Sequence, residues 1–184
     1  MQAKPPCQLC PFAPALPLWT APDFEALMNI AVFPGTFDPV TLGHMDIIRR
    51  AARLFDRVIV AVAASPSKKP LFSLEKRVEI IENCTSELEN VSAMGFSGML
   101  VDFLAEHKAT VLIRGVRTVA DYDYEMQLTG MYRIAVPDLE IVMLPSNGNL
   151  SFISSTLVRE IIIHKGNAQP FVPEPVVEAI KECL

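Results

Sequence analysis

No stretch of this chain approaches the ~20 consecutive apolar residues that a membrane-spanning helix needs. Phe12 to Leu18 is apolar, but Pro11, Pro14 and Pro17 break it up. A single lysine and no small-x-small cleavage site make it a poor secretory signal, so a cytoplasmic protein is expected. Basic residues are also in short supply: 16 Lys and Arg against 21 Asp and Glu leave a net charge of −5. Counterion-driven binding to nucleic acid wants a basic face, which argues against a protein that coats a polyanion. The basic residues stand instead in small groups, Lys68-Lys69 and Arg114/Arg117, which suit small phosphorylated ligands.

Cysteine is sparse as well, with four residues at positions 7, 10, 84 and 183. Cys7-Gln8-Leu9-Cys10 has no second pair to complete a zinc site, and prolines surround it where a redox motif needs a helix. Incidental thiols in a tail are the reading. Cys84 fits the apolar side of a helix as a small core residue. There is no internal repeat, and no convincing nucleophile–base pair.

What is present is a chain of 184 residues, 51% of them apolar, enough to bury one sizeable core. Residues 1 to 27 hold six of the fifteen prolines and show neither a 2 nor a 3.6 period, so a flexible N-terminal extension is expected there. Met28 directly precedes the first strand and is a candidate start codon, which would make the upstream residues a translation-start artefact.

From Met28 the pattern alternates through a single domain, 28–184. Short β-branched runs at Ile30–Phe33, Val58–Ala64, Val91–Met94, Val111–Ile113 and Ile141–Leu144 predict strands buried on both faces. Helical periodicity lies between them. Ile47, Ile48, Ala51, Leu54 and Phe55 share one face, and Ser73 caps a helix carrying Leu74, Val78, Ile81 and, near its end, Leu88. Met99–Leu104, Ala120–Ala135, Ser154–His164 and Glu174–Leu184 complete the set. Five strand–helix alternations predict an α/β fold: a Rossmann-like, doubly wound, five-stranded parallel sheet with helices on both faces. Ligands of such sheets bind beyond the carboxyl ends of the strands, where five segments here converge: Pro34–His44, Ser65–Lys69, Gly95–Leu100, Arg114–Arg117 and Pro145–Thr156.

The first segment, Phe33-Pro34-Gly35-Thr36-Phe37-Asp38-Pro39-Val40-Thr41-Leu42-Gly43-His44, runs from a strand into a helix. Unpaired N–H groups and a helix dipole at that turn suit a phosphate. His44 is either a polar cap or a donor to a phosphoryl oxygen; its setting beside Gly43, Thr36 and Thr41 favours the donor. Gly35 offers a place for close approach of a ligand to the backbone. In Ser65-Pro66-Ser67-Lys68-Lys69-Pro70 the prolines stiffen a loop whose lysines are either solvated or aimed at a phosphate. Arg114-Gly115-Val116-Arg117 either forks onto phosphate or pairs with Asp121, Asp123 or Glu125. The hydroxyl run Ser151-Phe152-Ile153-Ser154-Ser155-Thr156 is first a capping signal, with a second phosphate site as the alternative.

Together these segments resemble the bacterial phosphopantetheine adenylyltransferase family, of the nucleotidyltransferase superfamily marked by a (His/Thr)-x-Gly-His signature. The signature stands here as Thr41-Leu42-Gly43-His44. The Ser-Pro-Ser-Lys-Lys-Pro loop, Ile113 to Arg117, Asp121 to Gln127 and Ser151 to Thr156 narrow the resemblance to this family, which covers the chain from Met28 nearly to its end.

The resemblance implies that ATP and 4′-phosphopantetheine give dephospho-coenzyme A and pyrophosphate by in-line attack without a covalent intermediate. A phosphate monoester with a second pKa of about 6 is already largely ionised and needs no strong base. By resemblance, His44 with Thr36 stabilises the transition state, and Lys68 with Arg114 holds the attacking phosphate. The loop at Met99 and Leu100 seats the pantetheine arm. ATP is expected along Thr36, Phe37, His44, Gly115, Val116, Arg117, Glu125, Leu150, Ser151, Phe152, Ile153, Ser154, Ser155 and Thr156. Magnesium is expected on the ATP phosphates with no dedicated protein cage, and a homohexamer is implied. Four positions depart from the family pattern: Leu150 for Tyr or Trp, Tyr132 for Asn, Gly98 for a polar residue and Thr156 for Ser. Rival readings are another nucleotidyltransferase, for nicotinamide mononucleotide or glycerol phosphate, and a catalytically silent nucleotide-binding module.

Overall fold

A computed structural model describes residues 28–183. The expectations for residues 1 to 27, including Cys7 and Cys10, lie outside the described residues. Five strands and six helices alternate: β1 (Ile30–Gly35), α1 (Leu42–Leu54), β2 (Arg57–Ala63), α2 (Leu74–Thr85), β3 (Val91–Phe96), α3 (Leu100–Glu106), β4 (Val111–Val116), α4 (Val119–Ala135), β5 (Glu140–Pro145), α5 (Ser155–Ile163) and α6 (Glu174–Cys183). All strand pairs are parallel, in the order β3-β2-β1-β4-β5. The doubly wound sheet expected from the alternation is the fold observed.

Successive residues of the central strands feed opposite faces, as the two-residue strand period demands. Ala31 and Phe33 of β1 and Val58, Val60 and Val62 of β2 pack with buried residues of α1, α2, α5 and α6. Val32, Ile59 and Ala61 pack on the other face with Phe103 and Leu104 of α3. Local chemistry sets the helix starts. Thr41, Ser73, Thr118 and Ser154 each cap a helix by accepting an amide hydrogen from its first turn. Cys84 is buried in the α2 contact, and burial pushes its thiol up to about 12.

Several boundaries differ from the sequence expectation. α2 ends at Thr85, and Leu88 lies beyond it in a turn closed by its N–H to the Thr85 carbonyl, still packed against the core. β1 continues through Pro34 and Gly35, because β2 runs alongside as far as Val62. On its other side β1 meets β4 only at Ala31↔Val111 and Val32↔Leu112, after which β4 follows β5 to Pro145. The sheet therefore divides at the carboxyl ends of β1 and β4, which is also where the strand order reverses. Pro34, lacking an N–H, sits where one flank of β1 has no ladder to support. Arg114, Gly115 and Val116 are likewise strand residues, not loop residues, paired with Met143, Leu144 and Pro145.

Candidate active site

The division opens a cleft of about 320 Å3 lined by β1, the β1–α1 turn, β4, Glu125 of α4 and the start of α5. It brings together Thr36, Phe37, His44, Arg114, Gly115, Arg117, Glu125, Ile153, Ser154, Ser155 and Thr156. Val116, Leu150, Ser151, Phe152, Met99 and Leu100 are not among its lining residues. Phe152 and Met99 are largely exposed, Leu150 packs against one core layer and Leu100 against the other. Lys68 ends the short Pro66–Lys68 helical turn between two left-handed residues, Ser65 (φ 45°) and Lys69 (φ 44°); its side chain lies outside the described residues.

His44 is the third residue of α1. The Thr41 N–H donates to its Nδ1 across 3.1 Å, and Thr41 Oγ1 lies 3.0 Å from the same nitrogen while accepting from the His44 N–H at 3.4 Å. This is a capping box with histidine in the place usually held by Glu or Gln. A backbone amide can only donate, so Nδ1 is unprotonated and the neutral ring carries its hydrogen on Nε2. Burial, and then the positive charge of Arg117, lower its pKa from 6.5 to about 4. His44 is thus a neutral donor throughout the physiological range.

The ring is held on its flat side too. Phe37, at φ 48°, turns back so that its ring meets His44 edge-on at 5.1 Å and Phe33 at 5.4 Å. A Cβ at Gly35 would lie 2.9 Å from the Phe37 ring. Gly35 itself lines the cleft, while the space a Cβ would take there is filled by the aromatic support of His44.

The two readings of the arginines prove compatible. Arg117 Nε lies 3.2 Å from Asp121, and Arg114 Nε lies 3.1 Å from Glu125, yet both arginines line the cleft. Arg114 Nε and Glu125 Oε2 are buried and neither makes a well-aligned hydrogen bond, so this ion pair leaves directional capacity unused. Burial raises the Glu125 pKa, and Arg114 opposes that rise. Arg114 Nη2 donates to the Tyr132 hydroxyl at 2.7 Å, with its guanidinium carbon 5.4 Å from the centre of that ring. The hydroxyls divide their work. Ser154 caps α5, Ser155 donates to the Pro39 carbonyl at 2.8 Å and Ser151 to Gly148 at 3.0 Å.

Sequence reasoning missed two buried charges. Asp38, 2% exposed, accepts from the Leu71 and Phe72 amides at 2.8 and 3.0 Å and from Arg159 at 3.1 Å. Arg77, 1% exposed, stands on the inward face of α2. Its position within the apolar stripe that includes Leu74, Val78 and Ile81 was the available signal.

Residues 32–161 match the family model described as cytidylyltransferase-like. The phosphopantetheine adenylyltransferase of Tolumonas auensis is 55% identical over 150 residues, covering 82% of this chain and 92% of its own. That of Actinobacillus succinogenes is 52% identical over 153 residues, 83% and 95%. The chain belongs to the phosphopantetheine adenylyltransferase family. More distant solved structures share its fold alone. One described as a nicotinate-nucleotide adenylyltransferase from Vibrio parahaemolyticus has a TM-score of 0.66 at 17% identity, over 84% of this chain and 99% of its own. A bifunctional NMN adenylyltransferase/ADP ribose pyrophosphatase from Francisella tularensis gives 0.62 at 18%, over 79% and 45%. Tyr132, one of the positions expected to differ from the family pattern, has a clear structural role as a second partner of Arg114.

Proposed function

We propose that the chain transfers the adenylyl group of ATP to 4′-phosphopantetheine, giving dephospho-coenzyme A and pyrophosphate. The observation that carries this reading is a neutral Nε2–H donor, His44, lining one cleft with Arg114 and Arg117 and lacking any carboxylate base on its other nitrogen. Such a site is suited to stabilising developing phosphoryl charge, and phosphoryl-type transfer needs positioning and charge above all. One oxygen of the acceptor phosphate bonds to the α-phosphorus as the bond from that phosphorus to the bridging oxygen breaks, and pyrophosphate departs with those electrons. His44, beside Thr36, donates to the α-phosphate as charge grows. Lys68 and Arg114 hold the attacking phosphate, and Met99 with Leu100 guides the pantetheine arm. ATP lies along Thr36, Phe37, Gly115 to Arg117, Glu125 and Leu150 to Thr156.

Magnesium would be carried on the ATP phosphates, where it would offset their charge. The cleft's acidic groups, Asp38 and Glu125, already face Arg159 and Arg114, so the nucleotide rather than a protein cage would supply the ion's ligands. Action in the cytoplasm is part of the proposal; no described helix is long and apolar enough to cross a membrane. A homohexamer is the proposed assembly: α4 leaves Val119, Met131 and Ile134 exposed at 77, 66 and 86%, apolar surface suited to self-association.

The deciding experiment is pyrophosphate release from ATP with phosphopantetheine, nicotinamide mononucleotide or glycerol phosphate as acceptor. Preference for phosphopantetheine is expected. A His44→Ala variant should lose about 3 kcal/mol of transition-state stabilisation, roughly a hundredfold in turnover, while still binding ATP. Preference for another acceptor, or near-normal turnover in that variant, would reject the reading.

A further inference from the structure

Arg77 is fully enclosed, and every hydrogen bond it makes ends on a backbone carbonyl. Nε donates to Phe72 at 3.1 Å and Ser73 at 3.3 Å. Nη1 donates to Thr36 at 2.7 Å and Ala63 at 2.8 Å, and Nη2 to Ala64 at 3.2 Å. These carbonyls belong to three separate pieces of chain: the turn after β1, the end of β2 and the approach to α2. Filling space alone would not select this side chain, because an enclosed guanidinium loses several kcal/mol of hydration that an apolar residue of similar size would not. What the guanidinium supplies is a flat fork that fixes three strands of backbone relative to one another.

The segment so fixed runs from Ser65 to Leu71 and contains Lys68. Arg77 holds the residues entering it, Ala63 and Ala64, and those leaving it, Phe72 and Ser73. Asp38 grips the same exit from the other side, through the Leu71 and Phe72 amides. Phe72 is therefore held by both its N–H and its carbonyl, each time by a charged side chain. Asp38 belongs to the turn that also carries Thr36 and leads to His44, and Arg159 of α5 balances its charge at 3.1 Å. A loop stiffened by Pro66 and Pro70 is thereby fastened at both ends to the turn after β1.

We propose that Arg77 and Asp38 are positioning residues for the transfer reaction: they set the distance between the loop that carries Lys68 and the turn that carries Thr36 and His44, and so between attacking and attacked phosphates. This rests on the acceptor-holding role of Lys68 given above. Arg77 never reaches substrate; it acts through the loop.

Arg77→Lys keeps the charge but cannot span the three pieces, and Asp38→Asn keeps the size but loses the charge that Arg159 balances. Steady-state kinetics with each substrate varied should show KM for phosphopantetheine rising at least about tenfold while KM for ATP stays within about twofold, since sub-ångström misplacement is costly in an oriented reaction. Hydrogen exchange should speed up at 65–73 and remain unchanged in β1 and β2. Equal rises in both KM values, or unchanged exchange at 65–73, would overturn the proposal. Should Arg77→Lys fail to fold, Asp38→Asn decides alone by the same criteria. If the unmodified enzyme does not use phosphopantetheine at all, the proposed function fails, and the exchange measurement still decides whether these residues fasten the loop.

Discussion

The amide of Thr41 donates to Nδ1 of His44 across 3.1 Å, and this bond fixes which face of the imidazole chemistry reaches the cleft. Protonating Nδ1 would set two hydrogens against one another, so the contact and the enclosure of the ring act in the same direction. The residue that begins the helix thus also orients the proposed donor.

The first prediction concerns pH. The folded His44 pKa is about 4 and the ordinary value 6.5, so between these values the unfolded chain binds the extra proton. Stability from keeping His44 neutral is complete above pH 6.5 and is lost as pH falls toward 4. Urea unfolding should show the parent losing about 2 kcal/mol more than a His44→Gln variant between pH 7 and pH 5. Parallel losses in the two proteins would mean that His44 titrates normally.

A second prediction follows from the 2.9 Å clearance between a Cβ at Gly35 and the Phe37 ring. Gly35→Ala must displace that ring and, through it, His44. Overpacking of this kind costs about 1–3 kcal/mol of stability. Turnover should fall beyond what the remaining folded fraction explains; intact turnover per folded molecule would show that Phe37 does not support His44.

The third concerns Arg114. Tyr132→Phe retains the ring but removes the 2.7 Å bond to Nη2. A hydrogen bond to a charged group contributes about 1.5–3 kcal/mol, so affinity for the acceptor should fall roughly tenfold or more in calorimetric titration, with ATP affinity little changed. Unaltered acceptor binding would assign the positioning of Arg114 to Glu125 alone.

The strand–turn–helix around His44 was legible because its parts are local: an apolar run, a turn bearing proline and glycine, and a periodic face behind it. The strand–helix alternation and the helix start at Ser73 were legible for the same reason. Strand ends were not, since β1 and β4 continue only as far as a neighbour accompanies them. What fills the space beside Gly35 was not legible, because that neighbour is a side chain two residues on, folded back by a positive φ. Arg77 and Asp38 escaped notice because each looks ordinary until distant backbone is brought to it. Sequence spacing puts Arg77 in the apolar stripe of α2 but does not show that its guanidinium ends on the carbonyls of Thr36, Ala63, Ala64, Phe72 and Ser73.

The bonds from Ser155 to Pro39 and from Arg159 to Asp38 join residues 116 and 121 positions apart. They have a consequence for the order in which the molecule matures on the ribosome. The segment carrying Thr36 and His44 emerges with its β2 neighbour close behind, but its far wall is synthesised 116 to 121 positions later. Contacts of such long range form late. Nucleotide therefore gains its full set of partners only once α5 has emerged, and ligand-induced protection against proteolysis reports chains that extend through α5 rather than shorter nascent ones.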